Sequence, residues 1–403
     1  MDDVAVRRVR EFVGGAWFSP FDKRLSASLS GSIDFAPWSG SPWPSHTDGI
    51  NRRWRSSADP SPAEKYATAF GLDVREFEDR MSAVGGVDSF PNAIACSRLD
   101  RSCPSDFVCG VRRGHTEGRC VPRSAGLHDA WARASVEVVI PPCPVVMNGV
   151  TFYPEDLQAL VMQYYAISNR LTTKDFDVRD TMRFGREMIN FPSTCSLTNG
   201  TDDTGDAGCR VITPAVFHDV LLGAVTAPLL VRFSSQSYFV PVVRYWILEH
   251  RSMSIEVAIK EFGYAIRRDP AITAASAIKL EMHWVNLSLD REEAEEAAVM
   301  RTTISYVVEV WYGRFSLFGG WISAESGPEP TVPVSLELAL PFILEENPAI
   351  GLTTQRLEQL LLNQVPCPSP ASPAVERHCN PVPFNVALAR SAEAVKRCEA
   401  ATG

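Results

Sequence analysis

The chain has 403 residues, 45% of them hydrophobic, enough for one large core or two moderate ones. Asp plus Glu (48) outnumber Lys plus Arg (39), and the resulting net charge of −9 argues against nucleic-acid binding, which needs a basic surface. No membrane span is expected: no apolar run reaches the ~18 residues that cross a bilayer, and the longest, around Val220 to Val231, is cut by Pro228.

Residues 1–60 are rich in Ser, Pro, Gly and Trp and read as an extended arm lying over a domain, with Trp38, Trp43 and Trp54 as anchors. For residues 1–30 a partly disordered leader is the alternative. The short basic run Arg52, Arg53 and Arg55 reads as a solvated face. Ser61-Pro62-Ala63-Glu64 starts a helix through a capping box with proline at the first position, and Gly71 ends it. A second helix is expected from Asp73 to Ala83, stopped by Gly85-Gly86.

Cys96, Cys103, Cys109 and Cys120 follow, with six, five and ten residues between them. A zinc site favours cysteine pairs two to four residues apart, so residues 96–120 read as a small two-disulfide module whose three connectivities stay open. Val136 to Ile140 reads as a strand stopped by Pro141-Pro142. Pro154 to Leu171 is an amphipathic helix with Leu157, Leu160, Val161, Tyr164 and Ile167 on one stripe. Residues 190–212 are a polar loop whose Cys195 and Cys209 form a disulfide or remain free thiols.

The next helix opens at Thr213-Pro214 and runs to about Thr226. Phe217, Val220, Leu221 and Ala224 form one stripe, with Leu222 and Val225 on the other side, which predicts a buried helix. Leu229–Phe233 and Phe239–Leu248 read as strands, Ser252–Ile266 as helix, and Ile278–Leu287, Thr302–Tyr312 and Phe315–Ser323 as strands of an antiparallel sheet. Arg291–Ala298 is an acidic linker or short helix. The tail from 364 holds Cys367 and Cys379, further disulfide candidates, and a terminal helix at Asn385–Ala400.

Ten cysteines, an even number, speak for an oxidising compartment and so for secretion, although Met1-Asp2-Asp3 lacks the basic-then-apolar pattern of a signal peptide. The sequons at Asn199 and Asn286 are glycosylation candidates that fit this reading. None of the seven histidines forms a His-x-His or His-x3-His pair, and neither a Gly-x-Ser-x-Gly elbow nor a phosphate-binding loop is present. No metal or cofactor is expected. His218, beside Phe217 in a buried helix, is read first as a hydrogen-bonded core histidine, with Asp219 on another side of the helix. His128, by its residues alone, reads as an exposed histidine.

Several segments together resemble the transglutaminase-elicitor family of secreted proteins. These are Pro37-Trp38-Ser39-Gly40-Ser41-Pro42-Trp43-Pro44 with Asp48-Gly49-Ile50; Ser61-Pro62-Ala63-Glu64-Lys65-Tyr66 with Ala69-Phe70-Gly71; Asn148-Gly149-Val150-Thr151-Phe152 before Asp156-Leu157; Gly208-Cys209-Arg210 before Pro214-Ala215-Val216-Phe217-His218; and Phe318-Gly319-Gly320-Trp321 before Ser326. Their order and spacing hold from about residue 35 to 350. The resemblance implies an α+β fold with a papain/transglutaminase-like core, buried helices packed on an antiparallel sheet, and a small disulfide-rich insertion. It also implies an arm over 1–60, a transglutaminase-like domain over 61–350 with the insertion at 96–120, and a Cys- and Pro-containing tail over 351–403.

The family's reaction needs a thiolate to attack a glutamine carboxamide, a histidine to move its proton, and a carboxylate to orient the histidine. The nucleophile's motif, Cys-x-Gly-Trp-Ala, matches His128-Asp129-Ala130-Trp131-Ala132, so His128 stands where the thiol is expected. The base falls on His218. The acid is expected in the strand after that helix, where Arg232 stands and Leu229 to Ser237 holds no carboxylate. The resemblance therefore implies a secreted transglutaminase-like protein with lost or much reduced crosslinking that acts by binding a protein partner. The alternatives are an active aminoacyltransferase with a protein substrate and a cysteine elsewhere, and metal binding by His128 and His218 in the vacated site.

Overall fold

The computed structural model describes residues 30–33, 37–99, 102–141, 144–172, 182–184, 212, 214–223, 228–233, 238–262, 272–287, 299–311, 314–322, 333–338 and 349–362. The chain divides into two compact units, one built mainly of helices and one around a sheet.

The helical unit contains α1 (Pro62–Ala69), α2 (Val74–Gly85), α3 (His128–Glu137), α4 (Pro154–Thr172) and α7 (Thr354–Leu362). It also contains a three-stranded sheet of β2 (Ala95–Ser97), β3 (Phe107–Gly110) and β4 (Glu117–Pro122), and a hairpin of β5 (Val145–Met147) and β6 (Val150–Phe152). The capping box at α1 forms as its residues dictate: Glu64 N–H donates to Ser61 Oγ while Ser61 N–H donates to Glu64 Oε2. Asp73 caps α2 by accepting from Glu76 N–H. The predicted stripe of α4 is buried along its whole length, with Leu157, Leu160, Val161, Tyr164 and Ile167 all at most 5% exposed.

Two disulfides, Cys96–Cys109 and Cys103–Cys120, hold β2–β4 together, which settles the pairing. Cys96, Cys103 and Cys120 cluster closely, but their sulfurs are consumed in these bonds and offer no thiolate to a metal. Two arginines of this small sheet's loop fasten it to the helices. Arg112 pairs with Asp79 and Asp88, and Arg113 with Glu64 and Glu78.

One local expectation is overturned. The β-branched run at Val136–Ile140 does not form a strand: through Glu137 it is the last turn of α3, and Val138 is the extended residue that ends it. Leu127, Ala130, Trp131, Ala134 and Val138 recur at helical spacing and are all buried, so tertiary burial overrode local β propensity. The helix ends at Glu137, before the expected stop at Pro141-Pro142.

The sheet unit contains β1 (Ser30–Ser32), β7 (Met182–Phe184), α5 (Pro214–Gly223), β8 (Leu229–Phe233), β9 (Val240–Met253), α6 (Ile255–Phe262), β10 (Ile272–Val285), β11 (Val299–Trp311), β12 (Arg314–Ile322) and β13 (Pro333–Leu338). Its strands run in the order β12-β11-β10-β9-β8-β13-β7, with β1 beside β9, and every pairing is antiparallel. Strand β9 extends to Met253, into the stretch expected to be helical. The helix starts three residues later than read because Ser254, not Ser252, accepts from Val257 N–H at its start.

One face of this sheet is the core: Tyr245, Leu280, Met282, Ile304, Tyr306 and Val308 are buried. Gly31 lets β1 cross Tyr245, since a Cβ there would lie 2.5 Å from that ring. On the opposite face, α6 covers one end through Ala258, packed against Ala275 and Val307.

Cys143, Cys195, Cys209, Cys367, Cys379, Cys398 and Asn199 lie outside the described residues, as do the loop at 190–211, the linker at 291–298 and the predicted terminal helix. Asn286 is described: its Oδ1 accepts a hydrogen bond from Tyr238 Oη at 2.7 Å.

Candidate active-site positions

His128 is the first residue of α3. A helix start concentrates unpaired backbone N–H groups and the positive end of the dipole, so this position would hold a thiolate well and an imidazolium poorly. The tryptophan-rich segment braces it from the side. Leu127 N–H donates to Pro42 O at 2.8 Å, and Ser45 N–H donates to Ala125 O at 2.9 Å. The Trp131 indole donates to Trp38 O, and the Trp38 indole donates to Val138 O. Gly126 allows the approach, because a Cβ there would stand 2.7 Å from Pro42 O and 3.1 Å from the His128 ring.

His128 is therefore half-buried rather than exposed, as its residues alone suggested. Burial pushes its pKa below the usual histidine value, and Asp129 opposes the shift. A neutral imidazole at this place can exchange a hydrogen bond, but it has no covalent route to a carboxamide of the thioester kind.

His218 lies in the second turn of α5, whose Phe217, Val220 and Leu221 are buried as the stripe predicted. The ring is itself 0% exposed, and its Nδ1 shares a 2.8 Å hydrogen bond with Tyr306 Oη of β11. Phe217, Tyr306 and Trp321 form an edge-to-face aromatic group beside it, with centroids 5.4–5.6 Å apart. Burial, with the nearby His250 adding to it, pushes the His218 pKa down to about 3. A general base works best with a pKa near the operating pH and with reach to the substrate proton. His218 has the geometry of a core histidine.

Arg232, near the position expected for the acid, sits within β8 between β9 and β13. It is 7% exposed, with its guanidinium 5.8 Å from the centre of the Phe239 ring. A guanidinium cannot accept a hydrogen bond, so Arg232 cannot orient an imidazole as a carboxylate does. His218 and Arg232 belong to the sheet unit and His128 to the helical unit. Every cysteine among the described residues is in a disulfide.

The structure also gathers polar groups that the sequence reading passed over. Glu137, the last residue of α3, is buried and accepts from Tyr165 Oη of α4 at 2.7 Å, and Arg133 one turn earlier is buried with it. Burial pushes the Glu137 carboxyl up to about 7, against the pull of Arg133 and Tyr165. Asp156, fully buried at the start of α4, accepts from Lys65 Nζ and the Trp54 indole, each at 2.7 Å, and from Tyr153 N–H at 2.8 Å. The one available signal was a charged residue at a position whose helical neighbours are apolar. Glu137 was hidden because its surroundings were read with a strand period.

Residues 21–328 match the family model described as Transglutaminase elicitor. No curated protein matches the chain significantly. Among solved structures, the GP42 transglutaminase from Phytophthora sojae is similar: 24% identity, a TM-score of 0.66, and coverage of 89% of this chain and 96% of that one. At that identity the likeness speaks for the α+β fold.

Proposed function

Because the chain belongs to the transglutaminase elicitor family, we propose that it is a secreted transglutaminase-like protein whose crosslinking activity is lost or much reduced and which acts by binding a protein partner. The observation that carries this reading is His128 at the first position of α3, in the register that Trp131 and Ala132 set. Removing a covalent nucleophile typically costs many orders of magnitude in rate. The burial and hydrogen bond of His218 and the cation at Arg232 support the same reading, since neither supplies the proton chemistry the reaction needs. Two disulfides in a module of 25 residues support an oxidising, extracellular setting. Family membership also supports the second reading, an active aminoacyltransferase using one of the six cysteines outside the described residues.

Iodoacetamide labelling of the native protein, read by mass spectrometry, separates the two. The proposal expects slow or no labelling. One cysteine that labels fast at pH 6, where an ordinary thiol is protonated, would overturn it in favour of the transferase.

A further inference from the structure

The open face of the sheet unit carries an arrangement unrelated to the family's reaction. Four strands present two rows of directly opposed residues. Ser32, Arg244, His283 and Arg301 form one, and Ser30, Trp246, Glu281 and Thr303 the next. Opposed residues of antiparallel strands share a face, and the alternate residues Tyr245 and Met282 point into the core. Further along the same face, Ala275 and Val307 lie under α6. The face is apolar where the helix covers it and polar where it is open.

The side chains of the two rows hold one another in place. Arg244 Nε–H donates to His283 Nδ1 at 3.2 Å, which leaves His283 Nε2–H to donate to Glu281 Oε1 at 3.0 Å. Arg301 Nε lies 3.8 Å from the other Glu281 oxygen. The Trp246 ring lies 4.9 Å from the His283 ring, with the Arg244 guanidinium 5.3 Å from its centre. Trp246 is thus a large ring, half-exposed, in a ring of fixed donors and acceptors. Groups already ordered in the free protein lose little freedom on binding.

We infer that this face, around Trp246, Arg244, Glu281 and Arg301, binds a polysaccharide. A sugar ring has an apolar C–H face and a rim of hydroxyls that both donate and accept. The indole offers the first a flat apolar body, and Arg244 and Glu281 offer the second fixed donors and acceptors, with the more exposed Arg301 and the Ser30, Ser32 and Thr303 hydroxyls at the margins. Four strands span about 14 Å, a surface for an extended chain rather than for a single small molecule. Two arginines and one carboxylate leave only about one net positive charge, so a polyanion has no strong claim on the face. A protein interface core gathers several apolar side chains around its aromatic and Arg anchors, whereas Trp246 is the one apolar side chain in these rows. This inference stands apart from the proposed loss of crosslinking, because carbohydrate retention does not depend on amine transfer.

The test is retention of the whole protein on an array of immobilised β-glucan, xylan, mannan and polygalacturonate, with poly-glutamate as an acidic polypeptide. Retention on a neutral polysaccharide is expected. It should fall about tenfold or more in Trp246→Ala and measurably in Arg301→Ala, and stay unchanged in Val257→Ser on α6. Arg301 carries a side chain 68% exposed, so its replacement leaves the fold intact even if Trp246→Ala does not fold. Retention on none of the polysaccharides, retention on poly-glutamate alone, or equal retention by wild type and Arg301→Ala would overturn the inference.

Discussion

At the residue scale, buried ionisable groups set the clearest expectations. The Glu137 carboxyl titrates at about 7 in the folded protein because burial disfavours its charge. Its folded value lies above its unfolded one, so the native state holds the proton more tightly. The stabilisation is complete below the unfolded value and is lost as pH rises through about 7. The loss is on the order of 3 kcal/mol across that window. Glu137→Gln should therefore unfold at a higher temperature than wild type at pH 8, with the gap closing by pH 5. Parallel melting curves across that range would contradict the assignment.

His218→Ala should cost about 2–4 kcal/mol in urea unfolding, since it opens a cavity and removes the Tyr306 hydrogen bond. A loss near zero would mean that the residue is not held in the core as described. Both histidines were named from the sequence, but their settings were legible to different degrees. The apolar neighbours of His218 announced its burial. The enclosure of His128 depends on Pro42 and Trp38, more than 80 positions earlier in the chain, and no local pattern encodes that.

At the scale of elements, short-range rules carried far. Ser61 with Glu64 placed α1, the stripe from Leu157 to Ile167 placed α4, and the alternating runs after Leu229 placed the strands. Local reading failed at Val136–Ile140, where a β-branched run lies on the buried stripe of a helix, and at Ser252, where the strand runs on to Met253 and Ser254 opens the helix. It also missed Asp156, a charge buried at the start of α4 and paired with Lys65 on α1. Asp156→Ala leaves the Lys65 ammonium, 2% exposed, with the more exposed Asp59 as its anionic partner among the described residues. It also removes the acceptor for Trp54. Breaking a buried pair costs about 3–5 kcal/mol. Urea titration should show that loss, and Lys65→Met combined with Asp156→Leu should recover much of it. A fall under 1 kcal/mol would show that the pair contributes little.

At the scale of the whole molecule, the resemblance read from five scattered segments led to the right family and fold class, and the family match covers residues 21–328. The division into a helical and a sheet-built unit was not legible, because each unit draws on segments far apart in the chain. Disulfide pairing was equally hidden. Four cysteines allow three connectivities and their spacing does not choose among them; the folded module joins Cys96 to Cys109 and Cys103 to Cys120, although Cys109 stands opposite Cys120 in the strand register.

The proposed loss of crosslinking rests on His128 standing at the position expected for the nucleophile. The most direct measurement is incorporation of a fluorescent primary amine into a glutamine-donor protein, with and without calcium. The expected result is incorporation at the level of the protein-free control under both conditions. Robust incorporation by the wild-type chain, removed by prior iodoacetamide treatment, would contradict the claim.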